Sequence, residues 1–161
     1  MITISNNGNM HRLENRQILS LSVEDAWEFF SDPANLPLIT PPEMKFEITS
    51  PDINAGTWPG KIITYKVTPF PLLRSAWVTE ITQAKEQKYF IDEQRFGPYR
   101  FWHHTHMFLP HEQGVEMIDQ VYYKLPFGIF GRIANSLFVR KKLKNIFLYR
   151  KKVLEEMLSS N

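Results

Sequence analysis

The sequence predicts an α+β domain in which a seven-stranded curved antiparallel sheet wraps around one long C-terminal helix, with two short helices after the first strand. Three observations predict it. Apolar residues alternate with period two through most of Lys45–Leu125, turn residues punctuate that stretch at short intervals, and a pattern of helical spacing follows it to the end of the chain. At 161 residues the chain is expected to form a single domain over 1–161, a size that buries roughly two thirds of the surface exposed by the unfolded chain.

The first strand is expected over His11–Leu21. Ser22 then offers an N-cap with Asp25 three positions on, and Val23, Ala26, Trp27, Phe29 and Phe30 give the following helix its apolar face. Pro33 is suited to open a second short helix through Leu36 and Leu38, which Pro41-Pro42 must stop. Six further strands are expected near Met44–Thr49, Lys61–Thr68, Arg74–Gln83, Lys88–Arg95, Tyr99–Leu109 and Val115–Lys124, separated by turn residues such as Pro59-Gly60, Gly97-Pro98 and Gly114. Consecutive strands at this spacing favour a meander. Ile133, Leu137, Leu143, Ile146, Phe147, Val153, Leu154, Met157 and Leu158 then mark the long amphipathic helix. A curved sheet gripping one helix seldom fills its concavity with that helix alone, so a cavity between them is expected.

Composition narrows the functions. The 12 Phe, 6 Tyr and 4 Trp with a formal net charge of only +2 argue against disorder and against a nucleic-acid partner. With no cysteine there is no disulfide, thiolate zinc site or cysteine nucleophile. The amino terminus lacks a basic segment followed by an apolar one, and no apolar run approaches the roughly 18 residues of a membrane span, so a soluble, cytoplasmic protein is expected. No G-x-S-x-G or G-x-G-x-x-G motif is present, which disfavours covalent acyl transfer and dinucleotide binding; no cofactor is expected.

The segment Gly97–Phe108 holds three of the five histidines among aromatic side chains. Alternation puts Trp102, His104, His106 and Phe108 on one face and His103 on the other. The same rule groups Phe90 with Asp92 on the preceding strand, and Asp119 with Tyr123 on the following one. In a meander these strands are neighbours, so two imidazoles and two carboxylates meet on the concave face. Three readings of that patch stand open. It is a hydrogen-bonded core network that fixes strand register; it is the polar end of a site whose apolar wall is Trp77, Phe90, Trp102, Phe108 and Tyr123; or it is a nitrogen and oxygen donor set for a metal, for which His at i and i+2 is a weak motif, so no metal is expected.

Several segments are similar to known proteins. Asn35-Leu36 with Ile39-Thr40-Pro41-Pro42, Trp77 with Thr79-Glu80-Ile81, Asp92-Glu93-Gln94, Gly97-Pro98-Tyr99, Trp102 with His104 and His106, Asp119 with Tyr123, Pro126-Phe127-Gly128 and Tyr149-Arg150 resemble the SRPBCC superfamily, within it a bacterial group of small proteins. This superfamily comprises the helix-grip proteins, including START lipid-transfer domains, the birch-pollen allergen family and polyketide cyclase/dehydrases. The resemblance implies the helix-grip fold and a ligand cavity. It does not single out an activity, because the fold hosts many functions.

The expected function is binding of a hydrophobic or amphipathic small molecule or lipid between sheet and helix. Trp77, Phe90, Trp102, Phe108 and Tyr123 would line its site, and Asp92, His104, His106, Asp119 and Arg150 would give polar recognition. Arg150 shares the helix side of Phe147 and Leu154, so its guanidinium either enters the concavity, where it needs an anion, or snorkels to water. A polyketide-cyclase-like enzyme is the alternative, with His104 or His106 as general base oriented by Asp92 or Asp119. A third reading is a regulatory protein acting through its basic helix, where Arg140, Lys141, Lys142 and Lys144 form either a solvated face or a contact with an anionic membrane or acidic partner. The apolar segments at Pro41-Pro42 and Pro69–Leu73 suggest an entrance.

Overall fold

The computed structural model describes residues 1–161 except 8–9, 52, 54–55, 71–72, 129, 131–132, 134–137 and 160–161. Its strands are β1 (Ile2–Asn7), β2 (Met10–Leu19), β3 (Glu47–Ile48), β4 (Ile62–Phe70), β5 (Leu73–Lys85), β6 (Tyr89–Phe96), β7 (Phe101–His111) and β8 (Gly114–Lys124). Helix α1 (Val23–Ser31) follows β2, and helix α2 (Arg140–Ser159) closes the described chain. The strands form one antiparallel sheet in the order β1-β2-β8-β7-β6-β5-β4-β3. Consecutive strands from β3 to β8 are neighbours, as a meander requires. Register shifts between β5 and β6 at Val78/Thr79 and Ile81/Gln83 insert extra residues, which bend the strands locally and increase their twist.

The sheet has eight strands where the sequence suggests seven. The added strand, β1, lies at the edge, pairs only with β2, and packs just Ile2 and Ile4 against the core. Its other residues are polar, so the alternation is too faint to stand out. Strand β2 ends at Leu19 rather than Leu21 because Ser22 already caps α1: its hydroxyl accepts the Asp25 amide at 3.0 Å. Gly114 opens β8 beside this corner, where a Cβ would run into the Leu19 carbonyl.

Two further expectations shorten. The second helix is a single 3-10 turn over Pro33–Asn35, and a second such turn over Pro42–Met44 leaves only Glu47–Ile48 of the strand expected near Met44–Thr49. Lys45 ends that turn in the left-handed region, at φ 44°, which breaks extended structure there. Tyr99 precedes β7, its amide and carbonyl both held by the Gln94 side chain at 3.1 and 2.6 Å. Of the expected long helix, Leu137 lies outside the described residues, as do Pro71 and Leu72 of the apolar turn.

The core has two parts. At one end α1 drives Trp27 and Phe30 onto Phe90 and Phe108, with ring centroids 5.7 Å apart for Trp27 and Phe108. At the other, Leu143 and Phe147 of α2 pack on Leu13, Val121 and Tyr123. No described helix is long and apolar enough to cross a membrane.

Candidate functional site

Residues of both clusters, from the sheet and from α2, border a space that side chains do not fill. A cavity of about 170 Å³ remains, more than ten times the roughly 10–15 Å³ that admits one water. Trp77, Phe90, Asp92, Trp102, His104, His106 and Arg150 line it as the sequence suggests, joined by Ile63, Tyr65, Thr79, Ile81, Leu143 and Phe147. Thr40 and Pro69, from the apolar segments read as an entrance, also reach its wall.

The polar end is built by strand register. Asp92 pairs with His104 across β6 and β7, and His106 pairs with Asp119 across β7 and β8. The imidazoles lie against each other, tilted by 36°, with centroids 3.7 Å apart. His104 Nε2 donates to Asp119 Oδ1 at 3.1 Å and His106 Nε2 donates to Asp92 Oδ2 at 2.9 Å. The remaining nitrogens also face carboxylates, His104 Nδ1 at 3.4 Å from Asp92 and His106 Nδ1 at 3.2 Å from Asp119, the latter without hydrogen-bond geometry. Asn15 on β2 completes Asp119 by donating to Oδ2 at 3.1 Å.

Three of the expected ligand residues face inward as alternation puts them but do not line the cavity. Phe108 shares the inward face of β7 but lies under α1, packed by Trp27 and Phe30, and does not line the cavity. Tyr123 is fully buried in the second cluster, beneath α2. Asp119, 1% exposed, sits behind the histidines rather than on the wall. Asn15 escapes the sequence reading, although the phase of Leu13 and Leu19 marks it as an inward polar residue. A second polar spot goes unread too: Tyr65 and Trp77 both hydrogen-bond Thr79 Oγ1, at 2.8 and 3.1 Å.

The network separates the two histidines in proton affinity. Burial pulls both down. For His106 the closeness of the Asp119 and Asp92 carboxylates outweighs it and the pKa is raised; for His104, burial and then the adjacent His106 outweigh the carboxylates and the pKa is lowered. Asp92 and Asp119 titrate below the usual carboxylate range even though burial opposes this. His104 and His106 supply most of the opposing pull, and Arg150 adds to it.

Arg150 points inward. Its side chain is 11% exposed, with the guanidinium carbon 5.0 Å from the centre of the Phe147 ring and Nη1 3.6 Å from Asp119 Oδ1. The basic run around it divides: Arg140 donates to the Ile4 carbonyl at 3.0 Å, Lys142 reaches Glu43 at 3.6 Å on the cavity's edge, and Lys141 and Lys144 are exposed. Asp92, His104 and His106 bring one donor atom each to within 4.8 Å of one another, the one such group among the described residues. The set is poorly suited to a cation. Both Nε2 atoms are committed to carboxylates, and a fixed guanidinium lies beside them.

No protein-family model and no curated protein matches the chain. Solved structures do. Protein Ms6760 of Mycobacterium smegmatis is similar at 15% identity and TM-score 0.67, covering 98% of this chain and 99% of its own. Ara h 8.0201 is similar at 14% identity and TM-score 0.64, covering 94% and 99%. Major latex-like protein 151 of Panax ginseng is similar at 11% identity and TM-score 0.67, covering 94% and 99%. At these identities the likeness speaks for architecture, and the chain has the helix-grip fold.

Proposed function

We propose that this protein binds an amphipathic small molecule between sheet and α2. The observation that carries the reading is the cavity itself: apolar and aromatic over most of its wall, yet closed at one end by Asp92, His104, His106 and Arg150. Protein interiors pack to a density near 0.74, so a fold shaped by stability alone would fill this space with side chains. The apolar body of a ligand would lie against Trp77, Phe90 and Trp102, and its polar end would meet the ionisable groups. Native mass spectrometry of the protein purified from its own cells tests this. A bound organic mass released by denaturation is expected; a clean unliganded mass together with no binding of an apolar fluorescent probe would overturn it.

The opposed proton affinities of the adjacent histidines favour one second reading, acid–base catalysis on a bound ketone. His104, kept neutral, would act as base while protonated His106 stabilises the developing enolate. Deuterium exchange at the α-carbon of an aryl ketone, followed by NMR in heavy water, is the check. Exchange lost in a folded His104→Ala variant supports catalysis, and no exchange above background in the wild type removes it.

A further inference from the structure

Arginine is rarely buried without its donors satisfied, because each unpaired N–H near a guanidinium charge costs the desolvation it never recovers. Arg150 is an exception. Its Nε is sealed from solvent and has no hydrogen-bond partner, and its Nη1 meets Asp119 only at ion-pair distance, 3.6 Å. No hydrogen bond from any of its nitrogens is present among the described residues. Asp119 is meanwhile well supplied: it accepts from His104 and Asn15 and has His106 at 3.2 Å. The carboxylate that ought to hold this guanidinium is spent on other donors, and the fork borders the cavity.

The geometry points to Arg150 as the seat for the carboxylate of an amphipathic organic acid, with the adjacent histidine pair taking up a proton as that anion enters. The inference rests on the cavity-binding reading and names the chemistry of the ligand's polar end. A guanidinium matches a carboxylate with two parallel N–H donors, which a hydroxyl or ether cannot reproduce. Charge supplies the second part. Asp92 and Asp119 share this cluster with one fixed guanidinium and two imidazoles, so an added anion brings further negative charge into a buried site where His104 and His106 are the groups able to take up a proton.

His104 is placed to cancel it. Asp92 faces it from β6, His106 from its own strand, Asp119 from β8 and Arg150 from α2, while Asn15 on β2 and Tyr65 on β4 act at one remove through the two aspartates. Burial and then the adjacent His106 lower its proton affinity. A carboxylate arriving at Arg150 adds a negative charge beside the pair and so favours its taking up a proton.

Calorimetric titration with decanoate and with decanol, which share a chain but not a charge, tests this in the whole protein. Near neutral pH decanoate is expected to bind at least about tenfold more tightly than decanol, the gain typical of a hydrogen-bonded charge. Repeating the decanoate titration in buffers of different ionisation enthalpy should show net uptake approaching one proton. Arg150→Gln should remove the preference for decanoate over decanol, and Arg150→Lys, which keeps charge but not the fork, should fall between. Equal affinities in the wild type, or an undiminished preference in Arg150→Gln, would overturn the carboxylate seat and leave the cavity reading standing. Decanoate binding without proton uptake would overturn the coupling. If neither compound bound, the cavity reading itself would fail. The wild-type comparison needs no variant, so a misfolded Arg150→Gln does not spare the proposal.

Discussion

His103 and His104 follow one another on β7 and each faces a carboxylate, yet strand alternation sends them to opposite sides of the sheet. On the outer face His103 Nδ1 meets Glu93 Oε1 at 2.6 Å, with side chains 29% and 25% exposed. On the inner face His104 and Asp119 are 7% and 1% exposed and share their charges with His106, Asp92 and Arg150. The outer contact is the shorter. Water nevertheless screens it, while the inner set is held by donors and acceptors that have no solvent to fall back on. Burial, more than distance, decides which histidine–carboxylate pair carries the chemistry.

Breaking the inner set should therefore cost most. Asp119→Ala removes the acceptor of Asn15 and His104 and leaves Arg150 without its counter-charge, for an expected loss of about 3–5 kcal/mol in denaturant unfolding. Phe108→Ala, on the same face but packed under α1, should lose about 3–5 kcal/mol as a cavity mutation and leave ligand affinity unchanged, because Phe108 does not touch the pocket. An affinity loss in that variant would mean that the α1 end and the cavity are not separate.

The pH dependence sharpens the contrast. His106 holds its proton more tightly folded than unfolded, so its contribution is present below about 6.5 and is lost as pH rises through its raised value. His104 works the other way: the unfolded chain protonates first, and stability falls as pH drops below about 6.5 towards its lowered value. Asp92 and Asp119 add a second acid loss, since their contribution is present above about 3.8 and goes as pH falls through their lowered values. Unfolding followed against pH in His106→Gln should lose the alkaline decline and keep the loss below 3.8. An unchanged alkaline limb would show that His106 is not the titrating group. Smallest of all, Glu93→Gln on the outer face should change stability by no more than about 1 kcal/mol.

Much of this was legible along the chain. The faces of β6, β7 and β8 follow from period two, which groups His104 with His106 and Asp92 with Phe90. The helical period places Arg150 beside Phe147, and the structure turns the side chain inward rather than letting it snorkel. β1 was not legible, because an edge strand buries too few residues to leave a pattern. Nor was Asn15, which reads as ordinary strand polarity until β2 is seen to pair with β8 and bring it to Asp119.

By itself the sequence determined which side of each strand a residue occupies, the antiparallel order of the central strands and the long closing helix, because these depend on local periodicity and turn chemistry. Only the tertiary structure decided depth. Phe108, His106 and His104 share one face, but α1 covers the first, the two histidines border open space, and Asp119 is sealed behind them. Depth depends on where α1 and α2 cross the concave sheet, and that crossing is set by contacts between residues far apart in the chain, such as Gln17 on β2 and the Lys151 carbonyl on α2, 134 positions away.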